Sequence, residues 1–153
     1  MEDKYSKAAN NLAAAADIAI KIFETCPPKG WDQRNVDEVI SNYVMFKNLT
    51  LNPETRFRNM QSLKYDAQNI FTMFQEGSGN HVEAFWKEIK NAGLPFKREN
   101  KLVKILKRGK IKNALEYDFI IDVLVPYQQE GLLTQEEVVL LNQMIGEFEN
   151  KNN

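Results

Sequence analysis

Residues 114–125 read ALEYDFIIDVLV, and no other stretch of this chain limits its fold as strongly. Apolar side chains fall at Leu115, Phe119, Ile120, Ile121, Val123, Leu124 and Val125. At 100° per residue they cover most of a helix circumference rather than one stripe, which predicts a helix enclosed by other helices. Twelve residues of helix span about 18 Å, short of the ~30 Å hydrocarbon layer of a membrane. Glu116, Asp118 and Asp122 also interrupt the run, so the expected surroundings are a protein core rather than lipid.

The remaining segments supply partners for such a helix. From about Lys4 to Cys26, the residues Tyr5, Ala8, Leu12, Ala15, Ala16, Ala19, Ile22, Phe23 and Cys26 recur at spacings of three and four, the pattern of an amphipathic helix. Pro27 and Pro28 end it. Asp32 is placed to cap a second helix that carries Val36, Val39, Ile40, Tyr43, Val44 and Lys47 on one face and meets a connection at 48–52. Asn52-Pro53 reads as a start signal, which predicts a third helix over about 53–75 with Phe57, Met60, Leu63, Ala67, Ile70, Phe71 and Phe74 inward.

Gly77-Ser78-Gly79 is the most flexible-looking linker. Val82, Phe85, Trp86 and Ile89 mark a short helix beyond it, ended near Gly93 and Pro95. A fifth helix is expected from about Arg98 to Arg108, with Leu102, Val103, Ile105 and Leu106 inward and its lysines outward. Gly109 turns the chain into the central helix, where Pro126 is expected to kink or break it and Gly131 to stop it. Thr134 with Glu137 forms a capping box for a last helix that turns Val138, Leu141, Met144, Ile145 and Phe148 to the core and leaves a frayed tail.

The expectation is therefore an all-α bundle of six or seven helices. It forms a single helical domain over residues 1–153, with an N-terminal three-helix part, a C-terminal part around the buried helix 114–125, and a subdomain boundary between 77 and 95. A chain of 153 residues, 43% hydrophobic and 27% charged, can bury roughly 70% of its unfolded surface without a staple. Its one cysteine, Cys26, excludes an internal disulfide. The opening segment has early acidic residues and is broken by Asp17 and Lys21, unlike a secretory leader, so a cytoplasmic location is expected. On that reading the glycosylation sequon Asn48-Leu49-Thr50 is a chance match.

Charge is segregated. Residues 1–96 carry eleven basic and twelve acidic side chains, 97–112 eight and one, and 113–153 one and eight, for net charges of −1, +7 and −7. The basic run Lys97, Arg98, Lys101, Lys104, Lys107, Arg108, Lys110 and Lys112 has two readings. One is a surface that tracks phosphates. The other is a solvated helix face partly neutralised by Glu116, Asp118, Asp122, Glu130, Glu136 and Glu137. The absence of aromatics within 97–112 and a pI near 5.9 argue against sequence-specific nucleic-acid recognition.

Signals for chemistry are few. Asp118 and Asp122 share a helix face and could hold a divalent metal or divide acid and base roles. Helical metal sites gather ligands from several helices, and no Glu-x-x-His pair occurs here. His81 and Cys26 are the only residues of their types, far apart in sequence and without a catalytic motif around them. Residues 76–80, Glu-Gly-Ser-Gly-Asn, lack both the nucleophile-elbow and the phosphate-loop pattern. Trp31, Phe96 and Tyr127 lie in or beside connections, where aromatics either anchor interfaces or plug gaps between helix ends.

The first functional expectation is a non-catalytic protein that works by binding another protein, of the inhibitor, immunity, antitoxin or adaptor kind. No cofactor, metal or membrane is called for. Its candidate partner-binding residues are Lys97, Arg98, Lys101, Lys104, Lys107, Arg108, Trp31, Phe96 and Tyr127. The alternatives are nucleic-acid binding through 97–112 and an enzyme with a site near Asp118 and Asp122.

Overall fold

The computed structural model describes residues 3–152, and among them the chain is all helical. The helices are α1 Lys4–Thr25, α2 Gln33–Leu51, α3 Met60–Glu76, α4 Asn80–Asn91, α5 Val103–Arg108, α6 Ala114–Gln129 and α7 Gln135–Lys151, with one 3-10 turn at Thr55–Phe57. Two compact units result. The first takes residues up to Phe74 together with Gly79–Lys97; the second takes Gln75–Ser78 and everything from Arg98 onward. The main changeover thus falls at Lys97–Arg98.

In the first unit, α1 packs chiefly along α2 and also against α4. Ala9, Ala13, Ala15, Ala16 and Ala19 are buried on α1, where their small side chains admit a neighbouring backbone closely. Larger gaps are filled by rings. Phe23 stacks on Trp31 at 5.8 Å and meets Tyr43 and Phe74 at 5.5 Å, while Phe74 stacks on Phe85 at 3.8 Å. Two ring polar tips in this core find backbone acceptors: Tyr43 Oη donates to Ile70 O at 2.8 Å and Trp86 Nε1 to Phe74 O at 2.8 Å.

Two expectations about this unit are corrected. The second helix continues through 48–51, and Asn52 closes it with its N–H on Asn48 O, so Asn52-Pro53 is a stop rather than a start. The third helix begins only at Met60, where Asn59 Oδ1 accepts from Ser62 N at 2.9 Å. Phe57 and Met60, expected inward, are consequently exposed, as is Val44. The sequon lies inside α2 with Thr50 fully buried.

In the second unit the core consists of Leu102, Ile105, Ile111, Ile120, Val123, Tyr127, Leu133, Val138, Leu141 and Met144. The fifth helix is shorter than the spacing predicts, six residues rather than eleven. Asn100 Oδ1 takes the N–H of Leu102 at 2.8 Å and Asn100 Nδ2 donates to Leu132 O at 3.1 Å. These bonds give the backbone at 98–102 an alternative to helix. Gly109, at φ +80°, then turns the chain in a conformation side-chain-bearing residues avoid.

The central helix is present but not enclosed. Ile120, Val123 and Tyr127 are buried, whereas Leu115, Ile121 and Val125 are exposed. The unit has only α5, six residues long, and α7 to set against α6, too little chain to wrap a helix on all sides. Pro126 does not break α6, which runs on to Gln129. It sits in the last turn and costs one backbone bond there, while buried Tyr127 anchors that turn. Gly131 N–H to Gln128 O and Leu132 N–H to Tyr127 O close the helix end. At the start of α7 the capping box is complete, with Glu137 N on Thr134 Oγ1 at 3.1 Å and Thr134 N on Glu137 Oε1 at 2.9 Å. Of the tail expected to fray, Lys151 belongs to α7, Asn152 caps it, and Asn153 lies outside the described residues.

Candidate functional site

The basic segment divides into committed and free charges. Arg98 is committed most deeply, with its side chain only 3% exposed. It donates to Glu130 at 2.9 Å and to Gly77 O, and its guanidinium lies over the Tyr127 ring at 4.9 Å. Arg108 makes a two-pronged bond to Glu116 at 2.6 and 2.7 Å and also reaches Lys110 O. Glu116 accepts the backbone N–H of Lys112 as well, so one carboxylate in the first turn of α6 holds the whole 108–112 turn. Lys101 pairs with Glu99 at 3.0 Å. By contrast, Lys104, Lys107, Lys110 and Lys112 are exposed and enter no ion pair among the described residues.

Tyr127 and Arg98 therefore leave the set of surface candidates. The ring of Tyr127 is fully buried, where burial raises its pKa, and its hydroxyl lies 3.4 Å from both Gln75 O and Lys101 N. Trp31 and Phe96 are half-buried and spend a ring face on the core of the first unit, Trp31 against Phe23 and Phe96 against Phe71 at 4.7 Å. Both plug the edge of a helical core, and neither stands free as an anchor.

Asp118 and Asp122 lie on the exposed side of α6 together with Leu115, Ile121 and Val125. Neither is paired with a lysine of the preceding segment among the described residues. No group of three or more His, Cys, Asp or Glu that could hold a metal ion forms among those residues either. What α6 presents is a mixed face of Leu115, Ile121 and Val125 with two carboxylates that enter no ion pair among the described residues.

No protein-family model, curated protein or solved structure matches this chain. Function must be argued from its own surfaces.

His81 and Cys26 do not form a dyad. His81 is half-buried in the first turn of α4, 6.4 Å from the Phe74 ring, and burial lowers its pKa, while Cys26 caps the end of α1. No hydrogen bond joins them among the described residues. No helix among those residues is long and apolar enough to cross a membrane.

One feature escaped the sequence reading. The end of α2, the connection after it and the start of α3 enclose a cleft of about 380 Å³ lined by Leu49, Pro53, Glu54, Phe57, Ser62, Tyr65 and Asp66. Burial raises the pKa of Asp66 above the ordinary carboxylate value, partly opposed by the Thr50 hydroxyl. That hydroxyl reaches no partner at hydrogen-bonding geometry among the described residues, so its help is dipolar rather than a full bond. The signal was present: Asp66 falls three residues after Leu63 and one before Ala67, beside the inward face of α3. It was hidden because residues 53–59 read as the first turns of a helix.

Proposed function

We propose that the protein acts without catalysis, in the cytoplasm, by binding another protein through the exposed face of α6. The observation that carries this reading is the placement of Leu115, 81% exposed, with Ile121 and Val125 on the same side of one helix. Scattered apolar side chains on a surface are ordinary, but several on one face with unpaired carboxylates between them favour a specific partner. The chemistry that complements this face is a basic protein surface with apolar flanks: Lys or Arg opposite Asp118 and Asp122, and aliphatic or aromatic contacts at either end. The single cysteine, which leaves no internal disulfide, supports the location.

The test is a paired capture from the native host with the parent and a Leu115→Lys, Val125→Lys variant. Both changes fall at exposed positions and should leave the helix content, read by circular dichroism, unchanged. A basic protein retained by the parent and lost from the variant supports the reading; identical retention by both refutes it.

A second reading, nucleic-acid binding, is favoured by the four exposed lysines at 104, 107, 110 and 112 that enter no ion pair among the described residues. Four phosphate contacts imply a salt slope near −3.6 in log K against log salt on duplex DNA, at about 0.9 per contact. Filter binding at ~50 mM salt with the parent and a Lys104→Glu, Lys107→Glu, Lys110→Glu variant tests it. Arg108 is left out because Glu116 already holds it. No binding by the parent removes this reading.

A further inference from the structure

The cleft at the end of α2 has walls of one kind and a floor of another. Leu49, Pro53, Phe57 and Tyr65 supply apolar surface, and Leu49, Phe57 and Tyr65 are exposed, Tyr65 by 60%. Two carboxylates line the same space, but they differ in commitment. Glu54 is held by Arg56 at 2.8 Å, and Arg56 in turn lies over the Phe57 ring at 4.6 Å. Arg58, the next cation along the connection, is tied to Asp3 at 2.8 Å and to Ser6 at 3.1 Å, with its guanidinium over Tyr5. Tyr5 itself spends its hydroxyl on Thr50 O at 2.9 Å. Asp66 is left half-buried with no ion pair among the described residues.

These commitments decide the sign of the ligand. Among the described residues that line the cleft, an entering anion meets two carboxylates and no cation. A neutral apolar molecule would cover Asp66 without offering it a partner, and covering a carboxylate uncompensated is unfavourable. A cation on an apolar body meets both requirements at once. A volume of about 380 Å³ lies in the range of small-molecule sites. At ~30 Å³ per water-sized group it admits about a dozen such groups.

We infer that this cleft binds a small organic cation, a primary amine or guanidinium on an aromatic or aliphatic body, with Asp66 accepting from the charged head and Leu49, Phe57 and Tyr65 enclosing the body. The site lies within the first unit and is independent of the α6 face.

The experiment is a nitrogen-15 NMR titration of the full chain in ~0.1 M salt with three probes of one shape: phenethylamine, 2-phenylethanol and phenylacetate. Phenethylamine should give saturable shifts centred on Leu49, Phe57, Tyr65 and Asp66. The alcohol should bind at least tenfold more weakly, and phenylacetate should leave those residues unmoved. Asp66→Asn should remove the preference for amine over alcohol. Leu49→Arg, a change at an exposed position, should abolish binding of the amine and keeps the test decisive if the Asp66 variant does not fold. Equal affinity for amine and alcohol, shifts centred elsewhere, or a lysine-containing blocked peptide that binds more tightly than phenethylamine would each overturn the inference.

Discussion

Removing Glu130 should destabilise the second unit far more than removing any exposed charge. Its partner Arg98 is 3% exposed at the side chain, whereas Glu130 is 24% exposed. Leaving one member of a buried pair uncompensated costs about 3–5 kcal/mol. Two features reduce that figure here. Arg98 keeps its bond to Gly77 O and its place over the Tyr127 ring, and the partial exposure of Glu130 lets water approach the vacated position. One feature opposes the reduction, since Arg98 Nε already lacks a partner among the described residues. The expected cost of Glu130→Ala is therefore about 2–4 kcal/mol, which at a slope of about 2 kcal/mol per molar urea lowers the midpoint by roughly 1–2 M. The control is Lys101→Ala, which removes the exposed Lys101–Glu99 pair and should cost under about 1 kcal/mol. Urea unfolding followed by far-ultraviolet circular dichroism measures both. An Arg98→Met, Glu130→Met double change should recover much of the loss, because well-packed apolar groups often replace a buried pair without penalty. If Glu130→Ala costs no more than Lys101→Ala, the reasoning that ties this unit to its buried arginine is wrong.

Other expected outcomes follow from local geometry. Thr134→Ala should cost about 1 kcal/mol in the same unfolding assay, because it removes the hydroxyl that accepts from Glu137 N. Gly146→Ala should raise stability by about 0.5–1 kcal/mol: the position is inside α7, its backbone is not in the left-handed region, and a methyl group there meets nothing within 4 Å. Asp3 should titrate at about 2 rather than near its ordinary 3.8, held down first by the Ser6 N–H and then by Arg58. The unfolded chain takes up that proton at higher pH than the folded one, so the stability contributed by Asp3 is full above pH ~4 and is lost as pH falls toward 2. Carbon-13 NMR of the Asp3 carboxyl reads the midpoint, and Arg58→Ala should move it upward. An Asp3 midpoint unchanged in that variant would show that Arg58 does not contribute.

Much of this fold is legible along the chain because helices are local. The three- and four-residue spacing of Leu12, Ala16, Ala19 and Phe23, the cap at Asp32, the Thr134–Glu137 box and the stop at Gly131 depend on neighbours within a turn or two. Positions where a side chain chooses a distant backbone partner were not legible. Asn100 taking Leu102 N–H while donating to Leu132 O shortened the fifth helix. Arg98, read as a surface charge, turned inward because Glu130 and Gly77, far off in sequence, offer it acceptors. The cleft was hidden because residues 53–59 read as helix, whereas its walls come from two helices and the connection that separates them.

The sequence by itself determined that the chain is helical, where most of the helices lie, and that its C-terminal half carries opposed blocks of charge. Apolar periodicity and capping chemistry act over a few residues, and charge is a property of composition. Only the tertiary structure decided which faces are covered. Leu115, Ile121 and Val125 are as apolar as Ile120 and Val123, and periodicity gives no reason to treat them differently. Whether an apolar side chain is buried depends on how much other chain reaches it. In the second unit α7 packs along one side of α6, and the side left bare is the surface on which the proposed function rests.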